Sequence, residues 1–133
     1  MSFLPDTNAC INLLRQKNPL LIARWRSTKP SDMVMCSVVV YELRHGAERA
    51  VDPIKEHAKL DLFLAPYISL AFDDGCALQC AQIRSALERV GTRIGPHDLQ
   101  IAAVALRNGL TLITHNTSEF SRVAGLKIVD WEI

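Results

Sequence analysis

Short apolar runs along this chain alternate with longer segments whose apolar positions recur every three or four residues. The short runs read as buried strands and the longer segments as amphipathic helices. Strands are expected over residues 2–5, 33–37, 68–71, 111–114 and 127–129. Helices are expected over 8–15, 19–27, 38–50, 53–64, 74–90 and 96–108, with a helical turn over 117–121. Residues 38–50 begin with β-branched side chains, yet Leu43, Ala47 and Ala50 keep helical spacing. Pro53 and Pro96 suit first helical positions, and Gly109 suits the residue just past a helix end. Strands separated by helices imply right-handed crossovers and a parallel sheet covered on both faces. The expectation is an α/β fold with a central parallel sheet of about four to five strands. Pro5 is the discordant residue, because a strand interior needs the N–H that proline lacks.

The stretch FLPDTNACI breaks an apolar run with three polar residues. Asp, Thr and Asn are all good helix caps, so a cap is the ordinary reading. A second reading comes from topology. Ligands of parallel sheets bind beyond the carboxyl ends of the strands. Asp6 follows the first strand, Glu42 lies a little over one turn into the helix after the second, and Asn116 and Glu119 follow TLIT. Asp98 has no strand before it and occupies the third position of the helix that Pro96 starts.

Each residue has a plain structural account by itself. Asp98 complements the helix dipole, while Glu42 and Glu119 could be solvated. Together they are more specific. Tyr41 and Leu43 flank Glu42 within a largely apolar helix, and Ile101, Ala102 and Ala105 turn the Asp98 helix inward. Carboxylates gathered without Lys or Arg repel one another, and some acquire raised pKa values. A divalent cation resolves the conflict, and hard oxygen donors select Mg²⁺, with Mn²⁺ able to substitute. The histidines are expected on the surface or behind the ligands. His45 could face Glu42, whereas His97 should face away, since a helix neighbour of Asp98 points about 100° from it. His115 adjoins Asn116.

Composition narrows the classes. A chain of 133 residues, 49% hydrophobic and 22% charged, is expected to form one soluble domain spanning 1–133. A formal net charge of +1 argues against a strongly basic nucleic-acid binder but allows an acidic nuclease site ringed by basic residues. Arg44, Arg84, Arg93 and Arg122 are candidates for gripping a backbone by nearness in sequence alone. The four cysteines form no C-x-x-C pair and no zinc set, so buried free thiols are expected. No apolar run suits a membrane span, nor does the N-terminus suit a signal peptide. A cytoplasmic location is expected.

FLPDTN, VVVYELRHGAE, GTRIGPHDLQIAAVAL and TLITHNTSEFSRVAGLKIVDW together resemble PIN-domain ribonucleases, specifically VapC-type toxins of bacterial toxin–antitoxin pairs. The resemblance runs essentially end to end. It implies a three-layer α/β/α sandwich with Asp6, Glu42 and Asp98 as the acidic constellation holding the metal. Relatives can carry Asp where this chain has Asn116, which leaves Asn116 or Glu119 as the fourth ligand. The resemblance further implies a Mg²⁺-dependent endoribonuclease acting on RNA such as tRNA, a homodimer, and neutralisation by a cognate VapB-type antitoxin. Thr7 and Asn8 would cap the first helix and orient Asp6. Alternatives are a housekeeping PIN-type RNA-processing nuclease and a non-catalytic metal- or RNA-binding module of the same fold. A phosphatase with a nucleophilic Asp fits poorly, because Asn8 stands where its second Asp is needed. A phospho-receiver is only weakly suited by YISLAFDD.

Overall fold

A computed structural model describes residues 2–133. Five strands and seven α-helices follow one another as β1 (Phe3–Pro5), α1 (Thr7–Leu14), α2 (Pro19–Arg26), β2 (Val34–Cys36), α3 (Ser37–Glu48), α4 (Pro53–Leu64), β3 (Ile68–Leu70), α5 (Asp74–Arg89), α6 (Pro96–Arg107), β4 (Thr111–Ile113), α7 (Thr117–Phe120) and β5 (Lys127–Val129). The hydrophobic pattern anticipates each of them. It misses only a 3₁₀ turn over Pro30–Asp32, which is too short to carry a periodic signal.

All strand pairs are parallel, which is the layered α/β arrangement expected of strands joined by helices. The strands do not form one continuous sheet. β1, β4 and β5 make one sheet in the order β1-β4-β5, and β2 pairs with β3 in another. A lone parallel bridge between Phe3 and Met33 connects β1 to the β2 side. Pro5 explains the division. Ser2 O and Asp6 N bond to β4, and successive residues of a strand present their backbone groups to alternate sides. Position 5 therefore faces β2, where proline has no N–H to give. The strand loses a ladder bond on its β2 side and keeps its pairing with β4.

Leu4, Leu112, Ile113, Ile101, Val104 and Phe120 are almost wholly inaccessible and form the centre of the core. Each buried side chain of this size contributes roughly 1.5–3 kcal/mol. Helix α6 is buried at every position from Ile101 to Ala105, so small alanines let it approach its neighbours closely. Its dipole start remains near the surface. Gly109 closes the helix with φ of 65°, as its position predicts. An aromatic cluster fastens α2 and α4 to the last segment. Trp25 lies 5.9 Å from Phe63 and 6.3 Å from Trp131 between ring centroids, and Phe3 lies 5.2 Å from Trp131. The Trp25 indole N–H donates to Tyr67 Oη at 3.0 Å. Cys10, Cys36 and Cys76 are buried free thiols and Cys80 is half-buried.

Candidate active site

Because β1, β4 and β5 are parallel, Asp6, Thr114 and Asp130 emerge from one edge, each directly after its strand. Asp6 is only 3% exposed. Its Oδ1 accepts from the Ala9 N–H at 2.8 Å and its Oδ2 accepts from Thr114 Oγ1 at 2.7 Å. One oxygen of Asp6 thus caps α1, and the other is held by Thr114. Thr114 Oγ1 in turn accepts from the Asn116 N–H at 2.9 Å. Burial pushes the Asp6 pKa up. The hydrogen bonds from Thr114 and Ala9 oppose this, while Glu132 and Glu42 add to it.

Helix α3 buries Val38, Val39, Leu43 and Ala47 and carries Glu42 at the edge of that face. Thr7 Oγ1 donates to Glu42 Oε1 at 2.5 Å. Thr7 does not cap α1, as the sequence had suggested; it reaches across to α3. Asn8 is exposed and its side chain makes no hydrogen bond among the described residues. His97 Nδ1 lies 3.1 Å from Glu42 Oε2, contrary to the expectation that it faces away. Helix α6 packs beside α3, which brings the imidazole onto Glu42, and its charge also acts on Asp98. His45 does not bond Glu42 and lies against Tyr41 instead.

Asp98 is half-buried in the first turn of α6. Its pKa is raised from 3.8 to about 6, chiefly by burial, then by Asp6, Glu42 and Glu119, with His97 opposing. Those causes place the carboxylates in one electrostatic neighbourhood. Asn116 Nδ2 donates to Glu119 Oε2 at 2.7 Å. Asn116 therefore orients Glu119, and Glu119 is the one that acts on Asp98. Among the described residues, no Lys or Arg is ion-paired with Asp6, Glu42, Asp98 or Glu119. A hard-oxygen donor set of this kind, negative and unpaired, fits a divalent cation.

Asp130 and Glu132 were not anticipated. Asp130 accepts from His115 Nδ1 at 2.8 Å, and Glu132 Oε1 accepts from Asn12 Nδ2 at 3.1 Å. With His115 they form the group whose ligand atoms lie within 4.8 Å of one another. The rule that exposed Asp6 points to them too, since KIVDWE puts Asp130 directly after the last strand. Asp6, Glu42 and Asp98 do not form so tight a set. Thr7 and His97 each engage one oxygen of Glu42. The basic candidates are partly occupied. Arg44 pairs with Asp61 at 2.7 Å, Arg84 with Glu88 at 3.6 Å, and Arg122 donates to the Arg93 carbonyl at 2.7 Å.

The PIN-domain pattern matches residues 3–126. The chain is 35% identical over 131 residues to a Salmonella typhimurium protein named tRNA(fMet)-specific endonuclease VapC, covering 98% of each chain. It is 30% identical to Ribonuclease VapC2 of Rickettsia felis, covering 99% of each. Its fold superposes on a chain of DNA-bound VapBC from Salmonella typhimurium with a TM-score of 0.92, at 35% identity and 98% coverage of both.

Proposed function

Since the chain belongs to the PIN-domain family, we propose that it is a VapC-type toxin, a metal-dependent endoribonuclease that cleaves RNA of the tRNA class. The supporting observation is the group of carboxylates Asp6, Glu42, Asp98 and Glu119, in which burial first and then the three neighbouring charges raise the pKa of Asp98, and which has no Lys or Arg ion pair among the described residues. PIN-domain ribonucleases are in general dependent on divalent metals, and Mg²⁺ is the ion proposed, with Mn²⁺ substituting. Asp6 and Asp98 would hold it, Glu42 would complete the shell or position the attacking water, and Glu119 would supply a further oxygen. When bound, the ion polarises a phosphoryl oxygen and lowers the pKa of water. The chain's own residues set the rest. Thr114 and Ala9 fix both Asp6 oxygens, which removes rotational freedom from the carboxylate before any ligand arrives. Thr7 and His97 hold Glu42 from opposite oxygens. Asp6, only 3% exposed, is the carboxylate whose charge water screens least.

The partner proposed is a VapB-type antitoxin, and the toxin is proposed to act as a homodimer. A groove between α1, α3 and α4, lined by Ile11, Leu14, Leu43 and Leu60 with Arg15, Glu56 and Lys59 beside them, includes Glu42. An amphipathic segment seated there would bring an Arg to the carboxylates, where a charge-assisted pair replaces the cation. Among the described residues no helix is long and apolar enough to cross a membrane.

Purified protein incubated with labelled tRNA tests the activity. Cleavage should require Mg²⁺ or Mn²⁺ and stop in EDTA. Undiminished cleavage in excess EDTA refutes the metal reading, and RNA binding without any cleavage supports the non-catalytic module. Expression without an antitoxin should arrest growth, and capture from the native host should recover a small partner. Neither arrest nor a partner would favour a housekeeping nuclease.

A further inference from the structure

Two aromatic rings at the rim of the carboxylate group, Tyr41 and His45, take no part in the chemistry above, and a third, His97, takes part only by holding Glu42. Tyr41 is 55% exposed although it immediately precedes Glu42. One turn later His45 lies nearly parallel to it, with centroids 6.3 Å apart and planes 12° apart. From α6, His97 meets Tyr41 edge-on at 5.4 Å and 87°, while its Nδ1 faces Glu42. The Tyr41 hydroxyl has no hydrogen-bond partner among the described residues. Its ring is therefore oriented by two other rings and not by its polar end. A single exposed tyrosine is ordinary. One braced on two sides, beside the carboxylate that faces substrate, presents a preset aromatic surface. The fold does not require it, because α3 packs into the core through Val38, Val39, Leu43 and Ala47.

We propose that Tyr41, braced by His45 and His97, is a stacking platform for the nucleobase adjoining the phosphate that is cut. The inference rests on the reading of this site as RNA-cleaving. Every base has a π-face, and unstacked RNA bases are commonly held on aromatic side chains. Such a platform positions the strand without reading the base. Loss of one stacking ring typically weakens binding about 5- to 100-fold. The effect should fall on affinity, because Tyr41 touches a base beside the reacting atoms and not the atoms themselves.

The test is single-turnover cleavage of a short hairpin RNA in Mg²⁺ by the full chain and by Tyr41→Ala, Tyr41→Phe and Tyr41→Leu. The hairpin is also made with an abasic nucleotide on either side of the mapped cut. Tyr41→Ala should raise the half-saturating protein concentration about 5- to 100-fold, with the maximal rate held within roughly 3-fold and an unchanged melting temperature. Tyr41→Phe should restore affinity and Tyr41→Leu should not. One abasic position should weaken the wild type by a similar factor and add nothing to Tyr41→Ala, as for two halves of one contact. An unaffected Tyr41→Ala, full rescue by Leu, or additive losses at both abasic positions overturn the platform. So does a Tyr41→Ala protein that loses only antitoxin binding, which would assign the ring to a protein interface. Failure of the wild type to cut any RNA overturns the nuclease reading itself, whereas a cutting wild type with an indifferent Tyr41 overturns the platform alone.

Discussion

Replacing Asp98 by Asn separates a helix-dipole role from membership of a cation site. The rise of its pKa from 3.8 to about 6 corresponds to about 3 kcal/mol at 1.36 kcal/mol per unit. The carboxyl is only half-buried, so solvent screening reduces this to about 1–2 kcal/mol. Removing the charge also forfeits a dipole interaction of roughly 0.3–1 kcal/mol. The net expectation for Asp98→Asn in EDTA at neutral pH is a gain of up to about 1 kcal/mol, or roughly 3–5 °C in a melt of this size. The sign carries a pH signature. A carboxyl whose folded pKa is raised costs the native state stability when it ionises. The cost is absent below about pH 4, grows between 4 and 6, and is complete above about 6. The mutant's advantage over wild type should follow that course. In Mg²⁺ the wild type should gain stability according to its occupancy, about 2.7 kcal/mol at 100 times Kd, and the mutant should lose most of that gain and nearly all cleavage. Thermal melts of both proteins in EDTA and Mg²⁺ from pH 4 to 8, beside an RNA cleavage assay, measure every quantity. A mutant that is less stable in EDTA at neutral pH, keeps its Mg²⁺ shift and still cuts RNA refutes the reasoning.

Thr114→Val should cost roughly 1–3 kcal/mol by denaturant titration, because Asp6 Oδ2 and the Asn116 N–H both lose their partner in a buried site, and cleavage should fall with it. His97→Ala should lower the maximal cleavage rate more than the melting temperature, since it frees one Glu42 oxygen while removing only a half-exposed side chain; an unchanged rate would make the contact incidental. Arg44→Ala should cost about 1–2 kcal/mol, because it removes bonds to the His57 ring and carbonyl as well as the pair with exposed Asp61, and should leave RNA binding intact. A large loss of binding would return Arg44 to the substrate. Leu112→Ala, at the centre of the buried strand β4, should cost about 2–5 kcal/mol in the same titration.

Local periodicity was a good guide to the elements because each helix satisfies its own hydrogen bonds and each strand is a short apolar run bounded by polar or turn residues. Pro53, Pro96 and Gly109 mark helix ends for reasons that no distant contact changes. The division of the strands between two sheets was harder to read, although Pro5 was visible as the discordant residue; its effect depends on which neighbour position 5 faces. For the site, the strand-end rule reached Asp6, Glu42, Asn116 and Glu119, and it would have reached Asp130 had β5 been read in the same way. Contacts made between elements were the illegible part. The Thr7–Glu42 bond spans 35 residues of sequence, and the His97–Glu42 contact spans 55. Each depends on how α1 and α6 sit against α3, which no local pattern encodes.

The aromatic cluster around Trp25 and Trp131 makes the protein optically lopsided. Both of its tryptophans lie in that one cluster, close enough to exchange excitation, so their emission behaves as a single reporter. It watches the seam joining α2, α4, β1 and the closing segment. From Asp73 through Leu110 the chain contains no Phe, Tyr or Trp, so α5 and the whole Asp98 helix are dark to intrinsic fluorescence. An opening confined to that pair of helices would expose the carboxylate edge without altering the tryptophan spectrum. Amide exchange, not emission, is the observable that would see it.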